Sequence, residues 1–381
     1  MVVPTDWKEV RLGDLVSRPI TDGPHLTPRF YNDGVPFLSV NNIVDGKILW
    51  NELRYISKED DKVFAVKCKP RKGDILFGKA ASVGKIALVD TDLDFNVWSP
   101  LAVIRCSTLS RSQFVYFALQ TSWTTRQIAL LTNSSSQGNI GMTDIAQIKI
   151  FLPPLKEQEA IAEALSDSDA AIESLDALIA KKRDVKQATM QQLLSGRTRL
   201  PGFNADWKEV FLGDIARVKT GSRNNQDKVA EGLYPFYVRS AHVESIDSYS
   251  YDTEAILIPG EGGVGEIFHY TNAPHEVHQR VYRVSDFTPD TYPKFVFFYL
   301  RSFFGAHAMR NTVKATVDSL RLPTFLEFDL LLPPLMEQKA IAETLSAIDD
   351  ELEALTEQVS KLRMVKEGMM QDLLTGKVRL V

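Results

Sequence analysis

The chain has 381 residues, of which 44% are hydrophobic, 24% charged and 9% aromatic, a composition typical of folded proteins. This length predicts two or three domains. We expect no export signal, no apolar run approaches the ~20 residues of a membrane span, and Cys68 and Cys106 are too few for a disulfide framework. A secreted scaffold and a membrane protein are therefore excluded, and a cytoplasmic protein is expected.

The net charge of −5 is unevenly distributed. Residues 1–155 carry +3 and residues 197–335 carry −2, whereas 156–196 and 336–381 carry −3 each. Because most of the acidic excess lies in two short segments, the total charge does not argue against a nucleic-acid partner.

Residues 1–155 predict a mixed α/β domain. Short apolar and β-branched runs predict strands at 35–40, 74–77, 85–89 and 101–105, followed by a helix at 113–119. Polar residues in the intervening loops have the chemistry of base readers, and a basic run suits phosphates, although a solvated loop position is an equal alternative for any one of them. The candidates are His25, Arg29, Asn41, Asn42, Lys79 and Ser82, with Lys69, Arg71 and Lys72 in the basic run.

Residues 156–196 predict a single long helix. Pro153-Pro154 suits its entrance, Glu157 lies in the first turn, where the helix dipole favours an anion, and Gly196 suits its end. About 40 residues of helix span ~60 Å at 1.5 Å per residue.

Residues 197–335 predict a second mixed α/β domain, with strands at 236–239, 255–258, 266–270 and 277–284 and a helix at 294–303. Its polar loop residues again have the chemistry of DNA contacts. These candidates are Arg223, Asn224, Asn225, Arg239, Ser240, His242, Arg310 and Lys314.

Residues 336–381 predict a second long helix, and they reveal a duplication. Positions 152–200 align without a gap with 332–380, and 26 of the 49 are identical. Trp7-Lys-Glu-Val also recurs as Trp207-Lys-Glu-Val. The ends of the two domains are therefore alike while their middles diverge, which indicates shared scaffolds with variable surfaces.

Both helices have an apolar seam with alternating steps of four and three residues, the pattern of a coiled coil. The residues expected on the spacer helices are Leu155, Glu157, Gln158, Ile161, Leu165, Ile172, Leu175 and Ile179 in the first copy and Leu335, Glu337, Gln338, Ile341, Leu345, Ile348, Leu352, Leu355, Val359 and Leu362 in the second. The helices must pack against each other or against another subunit. We favour an antiparallel pair in a pseudo-twofold arrangement with neighbouring termini; a plain dimerisation hairpin is the alternative.

Three motifs resemble catalytic sites but lack their context. Gly260-Glu-Gly-Gly-Val-Gly265 precedes a predicted strand rather than the helix that dinucleotide binding needs, so a tight loop between strands is expected. His275-Glu-Val-His278 lacks the spacing of a zinc protease, and we expect ordinary surface histidines. Glu337-Gln-Lys339 is expected on a solvated helix face. We therefore predict a non-catalytic chain without a metal site or a bound cofactor.

The paired Leu-Pro-Pro-Leu-x-Glu-Gln-x-Ala-Ile-Ala helices, the Leu-Leu-Ser-Gly and Leu-Leu-Thr-Gly endings and the Trp-Lys-Glu-Val openings resemble the specificity subunits of Type I restriction–modification enzymes over essentially the whole chain. The resemblance implies an α+β protein with two mixed α/β target-recognition domains, in pseudo-twofold arrangement, separated by an antiparallel two-helix coiled coil. Each domain would read half of a bipartite double-stranded DNA target. It further implies two adenine-methyltransferase subunits using S-adenosylmethionine, and motor–nuclease subunits using ATP and Mg²⁺.

Other functions remain open on the sequence alone. An autonomous nuclease or methylase would need a hidden site, and a structural adaptor would bind protein without reading DNA. The same recognition role could also belong to a methylation-only or a fused restriction system.

Overall fold

A computed structural model describes residues 4–133, 138–263, 265–311 and 319–380. The chain forms two compact units. Unit 1 comprises residues 1–175 and 358–381, and unit 2 comprises residues 176–357. Each long helix is consequently shared, with one half in each unit.

Unit 1 is built on a four-stranded antiparallel sheet of order β2-β10-β7-β8 and a three-stranded sheet of order β6-β3-β9. Two-stranded pairs β1-β11 and β4-β5 complete it. Its strands are β1 (Lys8–Arg11), β2 (Thr21–Asp22), β3 (Val35–Leu38), β4 (Ile43–Val44), β5 (Lys47–Ile48), β6 (Arg54–Ile56), β7 (Ile75–Gly78), β8 (Ile86–Leu88), β9 (Asn96–Val97), β10 (Leu101–Ile104) and β11 (Lys149–Leu152).

Unit 2 repeats this design, with sheets of order β13-β19-β16-β17 and β15-β14-β18 and the pair β12-β20. Its strands are β12 (Lys208–Phe211), β13 (Arg217–Thr220), β14 (Tyr234–Tyr237), β15 (Glu244–Ile246), β16 (Ala255–Pro259), β17 (His269–Thr271), β18 (Glu276–Val277), β19 (Val281–Ser285) and β20 (Asp329–Leu332).

In each unit, most helices follow the last strand of the four-stranded sheet in chain order. They are α1 (Lys58–Ala65), α2 (Ser112–Ala118), α3 (Ser122–Leu131), α4 (Met142–Gln147), α5 (Leu155–Leu194), α6 (Leu212–Ile215), α7 (Pro293–Asn311), α8 (Leu322–Leu326) and α9 (Leu335–Leu373). In unit 1 the side chain of Thr121 accepts a hydrogen bond from the backbone of Thr124 and starts a new helix, α3, whereas α7 in unit 2 is continuous over the equivalent stretch.

The predicted elements are largely confirmed. The strands expected at 35–40, 74–77, 85–89 and 101–105 correspond to β3, β7, β8 and β10, and the helix at 113–119 corresponds to α2. In unit 2 the strand expected at 266–270 is shorter, since only β17 (His269–Thr271) pairs with β16, and the helix expected at 294–303 continues to Asn311. The single strand expected at 277–284 is wrong, because a turn divides this stretch into β18 and β19, which belong to different sheets. The glycine-rich motif lies in the loop between β16 and β17, as expected.

The seam residues of α5 and α9 are buried or partly buried, whereas Leu155, expected on the same helices, is exposed. Ile161 and Leu165 are buried in the core of unit 1 together with Leu373, from the far end of α9. Ile341 and Leu345 are buried in the core of unit 2 in the same way, together with Leu193 from the end of α5. Between these ends the seam is partly buried, with Ile179 and Val359 buried.

Ion pairs link the two helices inside each unit. In unit 2, Lys182 pairs with Glu351 at 2.7 Å and Lys186 pairs with Asp349. The partner number falls along α9 as the residue number rises along α5, so these two helix segments run in opposite directions. In unit 1, Lys366 of α9 pairs with Asp169 of α5.

The described ends of the chain meet within unit 1, as predicted. The Arg379 guanidinium donates a hydrogen bond to Asp6 at 2.8 Å, and Gly376 lies against Pro4.

Candidate nucleic-acid interface

A fully buried carboxylate organises the predicted readers of unit 1. Asp22, at the end of β2, pairs with Lys67, with Lys79 at 3.1 Å and with exposed His25 at 3.1 Å. Burial alone would raise the pKa of Asp22, but the two ammonium groups hold it below its usual range. The loops carrying His25 and Lys79 are therefore brought together, and the Lys79 charge is already matched inside the protein.

The other predicted readers of unit 1 differ in how available they are. Asn41 is exposed, and Arg29 is exposed with its guanidinium over the Tyr31 ring at 5.3 Å. Asn42 accepts a hydrogen bond from the Ser39 backbone at 2.9 Å, so its side chain stabilises a turn. Ser82 is partly buried in the loop after β7.

The basic run of unit 1 is balanced by nearby acids. Lys69 pairs with Asp61 and with Asp94, both at 2.8 Å, and Lys72 pairs with Asp92 at 3.0 Å. Arg71 is exposed. Since exposed ion pairs are weak, a phosphate can displace the Asp92 contact more easily than the less exposed contacts of Lys69.

Three predicted residues of unit 2 share one concave surface. Asn225, Arg239 and Ser240 line a cleft of about 370 Å³. Arg239 is paired with Glu261 at 3.2 Å, and the Ser240 hydroxyl donates a hydrogen bond to the exposed His242 at its carbonyl oxygen.

The remaining described candidates of unit 2 do not line this cleft, and two of them contact other side chains. Asn224 is exposed and accepts a hydrogen bond from Gln279 at 2.9 Å, while Arg223 is 3.4 Å from the buried carboxylate of Glu276. Arg310 is exposed near the end of α7. Lys314 lies outside the described residues.

The surface-histidine interpretation is wrong, because His275 and His278 are both buried. His275 lies 5.7 Å from the Tyr251 ring, and its Nε2 atom faces the Arg283 guanidinium at 3.4 Å. Burial is the main cause that lowers the pKa of both histidines. The alternating sequence predicted the strand, but it did not show that a second layer covers it.

The solvated-face interpretation of Glu337-Gln338 is also wrong. Glu337 is fully buried and accepts hydrogen bonds from Trp207 at 3.1 Å and from Arg199 at 2.6 Å. Glu157 is buried in the same way by Trp7 at 3.0 Å and Arg379 at 2.7 Å. We call each trio a Trp–Glu–Arg clasp. The local sequence does not show this burial, because each arginine follows the end of the other long helix and is far away in the sequence.

The adjacent glutamines have equivalent roles. Gln158 accepts a hydrogen bond from the Arg111 backbone and donates one to Pro153, both at 2.9 Å. Gln338 accepts one from the Tyr292 backbone and donates to Pro333, both at 2.7 Å. The repeated Glu-Gln pair therefore fixes each long helix to the unit in which it begins.

Unit 1 also has a large groove beside the end of α9. It measures about 770 Å³, and Trp123, stacked on Phe151 at 5.9 Å, forms one side. Lys366 and Met370 belong to the α9 side, and the α5 residues Lys186 and Met190 repeat them in sequence. The helical side of the groove is therefore a duplicated feature.

Sequence reasoning missed several residues of these sites. The sequence repeats Trp7 as Trp207 and Arg199 as Arg379. These repeats are the signal that could have identified the clasps. Glu261 and Arg280, which contact each other at 3.1 Å, had no such signal, because strand register alone brings them together.

Among the described residues, no group of three or more His, Cys, Asp or Glu side chains is arranged to hold a metal ion. In the same part of the chain, no helix combines the length and the apolar character needed to cross a membrane.

The structure defines a duplicated protein in which one α/β framework is used twice, with different polar loops. A sequence profile of the Type I restriction modification DNA specificity domain matches residues 4–181 and again residues 204–361. The chain therefore belongs to the family of type I restriction–modification specificity subunits, with two target-recognition domains.

Relatives match the chain over its whole length. It is 27% identical to the putative type I restriction enzyme MjaX specificity subunit of Methanocaldococcus jannaschii, over 99% of this chain and 95% of the relative. It is 23% identical to the MjaVIII specificity subunit of the same organism, over 99% and 94%. Its fold is similar to the crystal structure of a type I restriction–modification S subunit from M. genitalium, with a TM-score of 0.69, 18% identity and 98% coverage of both chains.

Proposed function

We propose that each unit reads one half of a bipartite duplex sequence, and that this chain supplies recognition while partner subunits supply the chemistry. The observation that carries the proposal is a backbone framework used twice with different loop side chains. The Lys79 backbone donates to Pro100 at 2.8 Å in unit 1, and the Gly260 backbone donates to Arg280 at 2.8 Å in unit 2. A shared frame with unlike polar loops is what two different half-sites require.

We further propose that α5 and α9 form an antiparallel coiled coil that sets the distance between the half-sites, in a pseudo-twofold arrangement. The opposed ion pairs inside each unit support this direction. Helices of 40 and 39 residues span ~60 Å, enough to bridge half-sites one helical turn, ~34–36 Å, apart.

The proposed partners are two adenine-methyltransferase subunits, docked at the duplicated helical faces, together with motor–nuclease subunits in the cytoplasm. The exposed Trp123 beside the groove of unit 1 supports a protein contact there, since aromatic anchors are enriched at interfaces. S-adenosylmethionine, ATP and Mg²⁺ would be bound by the partners. This chain's own part is to orient the duplex.

Mapping modified bases in genomic DNA tests the proposal. Cells with the chain should carry N6-methyladenine in one split motif, and deleting its gene should remove that motif alone. Cutting of unmodified DNA by the assembly would distinguish a restriction system from a methylation-only one. Unchanged methylation after deletion would reject the recognition role and leave a structural adaptor.

A further inference from the structure

Three charged side chains of unit 2 converge where the central strands β16 and β19 of its main sheet meet their neighbouring loops. The Glu261 carboxylate receives Arg239 at 3.2 Å on one oxygen and Arg280 at 3.1 Å on the other. The carboxylate is only 22% exposed, whereas the arginines are 43% and 59% exposed. We call these residues the Arg–Glu–Arg triad. Its acid lies deeper than its two guanidinium groups, which extend toward solvent.

The backbone beneath the triad is fixed on both sides. The Gly260 amide donates to the carbonyl of Arg280, and the Gly260 carbonyl accepts from Leu320, each at 2.8 Å. A Cβ atom at Gly260 would lie 2.9 Å from the Tyr282 ring, so this close approach favours glycine. The buried His278 accepts a hydrogen bond from the Arg280 backbone at 2.9 Å. Glu261 and Arg280 are thus held by a rigid frame.

The triad lies beside other groups suited to base edges. Arg239 and Glu261 line the 370 Å³ cleft together with Asn225, Ser240 and Glu244. Next to Arg280 in sequence, Gln279 is exposed and its amide donates to that of Asn224. Amides and guanidinium groups are the side chains that read adenine and guanine in the major groove.

Unit 1 carries different residues at the corresponding positions. Strand pairing aligns β7 with β16, β10 with β19 and β3 with β14. By this register Ala80 and Pro100 stand where unit 2 has Glu261 and Arg280, whereas Arg239 lies in the short connection between β14 and β15, which in unit 1 is a longer connection that contains β4 and β5. Ala80 forms a β-bridge with Asn139 just as Glu261 does with Ser319. At Glu261 and Arg280 the framework is kept and the side chains change, while Arg239 is supplied by a connection that differs between the units, as expected for a determinant that distinguishes them.

We propose that the Arg–Glu–Arg triad reads two guanines in the half-site recognised by unit 2, with Arg239 and Arg280 each contacting one guanine edge and Glu261 as the positioning residue. This inference rests on the proposed function. Arginine donates two parallel hydrogen bonds to the O6 and N7 atoms of guanine. A carboxylate that fixes the guanidinium plane reduces the rotamer freedom lost on binding. A phosphate contact is less favoured than it would be with two unpaired arginines, because Glu261 offsets one of the two positive charges.

Binding of the complete assembly to duplexes with randomised half-sites tests the triad. Arg239→Ala and Arg280→Ala should each lose discrimination at one guanine position of one half-site, by about 10- to 100-fold, and leave the other half-site unchanged. Arg239→Lys and Arg280→Lys should keep affinity for random DNA but weaken this discrimination, since lysine lacks the planar pair of parallel donors that Glu261 can hold in place.

Glu261→Gln gives a readout that a purely structural role would not produce. Removing the acid adds one net positive charge, so affinity for random duplex should rise and depend more steeply on salt, while guanine discrimination falls. Asp286→Asn is the matched control, because it also removes one negative charge from unit 2 and Asp286 forms a solvent-exposed ion pair with Arg217 at 4.0 Å, outside the cleft. It should preserve the base preferences.

Equal weakening on every sequence by the Arg→Ala variants, with each salt slope reduced by about one, would assign the arginines to phosphates and overturn the inference. An altered half-site of unit 1 would overturn it as well. Failure of the proposed function is distinguishable, since the unmodified assembly would then show no sequence preference.

Discussion

A fully buried carboxylate facing a partly exposed arginine is an asymmetric ion pair, and both Trp–Glu–Arg clasps have this form, with arginines that are 27% and 33% exposed. Removing Glu337 would leave the Trp207 indole N–H without its acceptor, while the Arg199 guanidinium could still be hydrated. The cost is therefore that of an orphaned polar group, rather than that of a fully buried charge.

We predict that Glu337→Ala lowers the free energy of unfolding of unit 2 by about 1–3 kcal/mol, and that Glu337→Gln has a smaller effect because an amide oxygen still accepts. Hydrogen exchange that resolves the two units measures this, since a two-unit chain need not unfold in one step. Glu343→Ala, at an exposed site on the same helix, is the control and should change little. Equal effects of both alanine variants would contradict the clasp.

The buried His275 predicts a pH dependence. Burial, more than any other cause, lowers its pKa below the ordinary value of about 6.5, so protonation favours the unfolded chain. The stabilisation that neutral His275 gives to the folded state is complete above pH 6.5 and is lost as the pH falls below that value. Amide protection in β16–β19 should therefore decrease between pH 7 and pH 5 by more in the wild type than in His275→Gln. Parallel pH curves for the two proteins would argue against this role.

Local chemistry predicted much of the fold, but it did not predict the surroundings of individual side chains. The prediction that Glu337 is solvated considers only its neighbours on the same helix. Its partner Arg199 is 138 positions away in the sequence, so the local sequence does not reveal this contact. The prediction that His275 lies on the surface is wrong for the same reason. The candidates Asn225, Arg239 and Ser240 line one cleft, and Arg239, Lys69 and Lys79 are each paired with an acid that lies far away in the sequence or in another loop.

At the scale of elements, the long helices were the most predictable, since their caps and seam are encoded within a few residues. The seam exposures of α5 and α9 are nearly the same at equivalent positions, even where the first copy has Ser168 for Ile348. Ser168 avoids an unsatisfied hydroxyl by donating to Ala164 at 2.9 Å. The loops were less predictable because strand register, and not local sequence, determines which of their side chains meet.

If the helices set the distance between half-sites, their length is a variable that can be changed. Inserting four residues in both α5 and α9 adds ~6 Å, which should lengthen the unread spacer by about two base pairs while preserving both half-sites. Sequencing of the methylated motif measures the spacer. Insertion into α5 alone is the control and should disturb the paired ion bridges instead. An active assembly with an unchanged spacer would reject this role of the helices.

At the scale of the whole molecule, the duplication organises everything else. The two sequence matches, the two sets of sheets and the two clasps all follow from one repeated design. The clasp of unit 1 joins residues near both ends of the chain, whereas that of unit 2 joins residues on either side of an internal linker, and their geometry is nearly the same.

The equivalence of the clasps has an evolutionary consequence. Each variable module is bordered by similar stretches, with 26 of 49 positions identical between the two copies, so an exchange of one module would leave the clasps at its borders intact. An ancestor of half this length, associating as a homodimer, would already have contained both clasps. Gene fusion would then have allowed the sequences of its two copies to diverge.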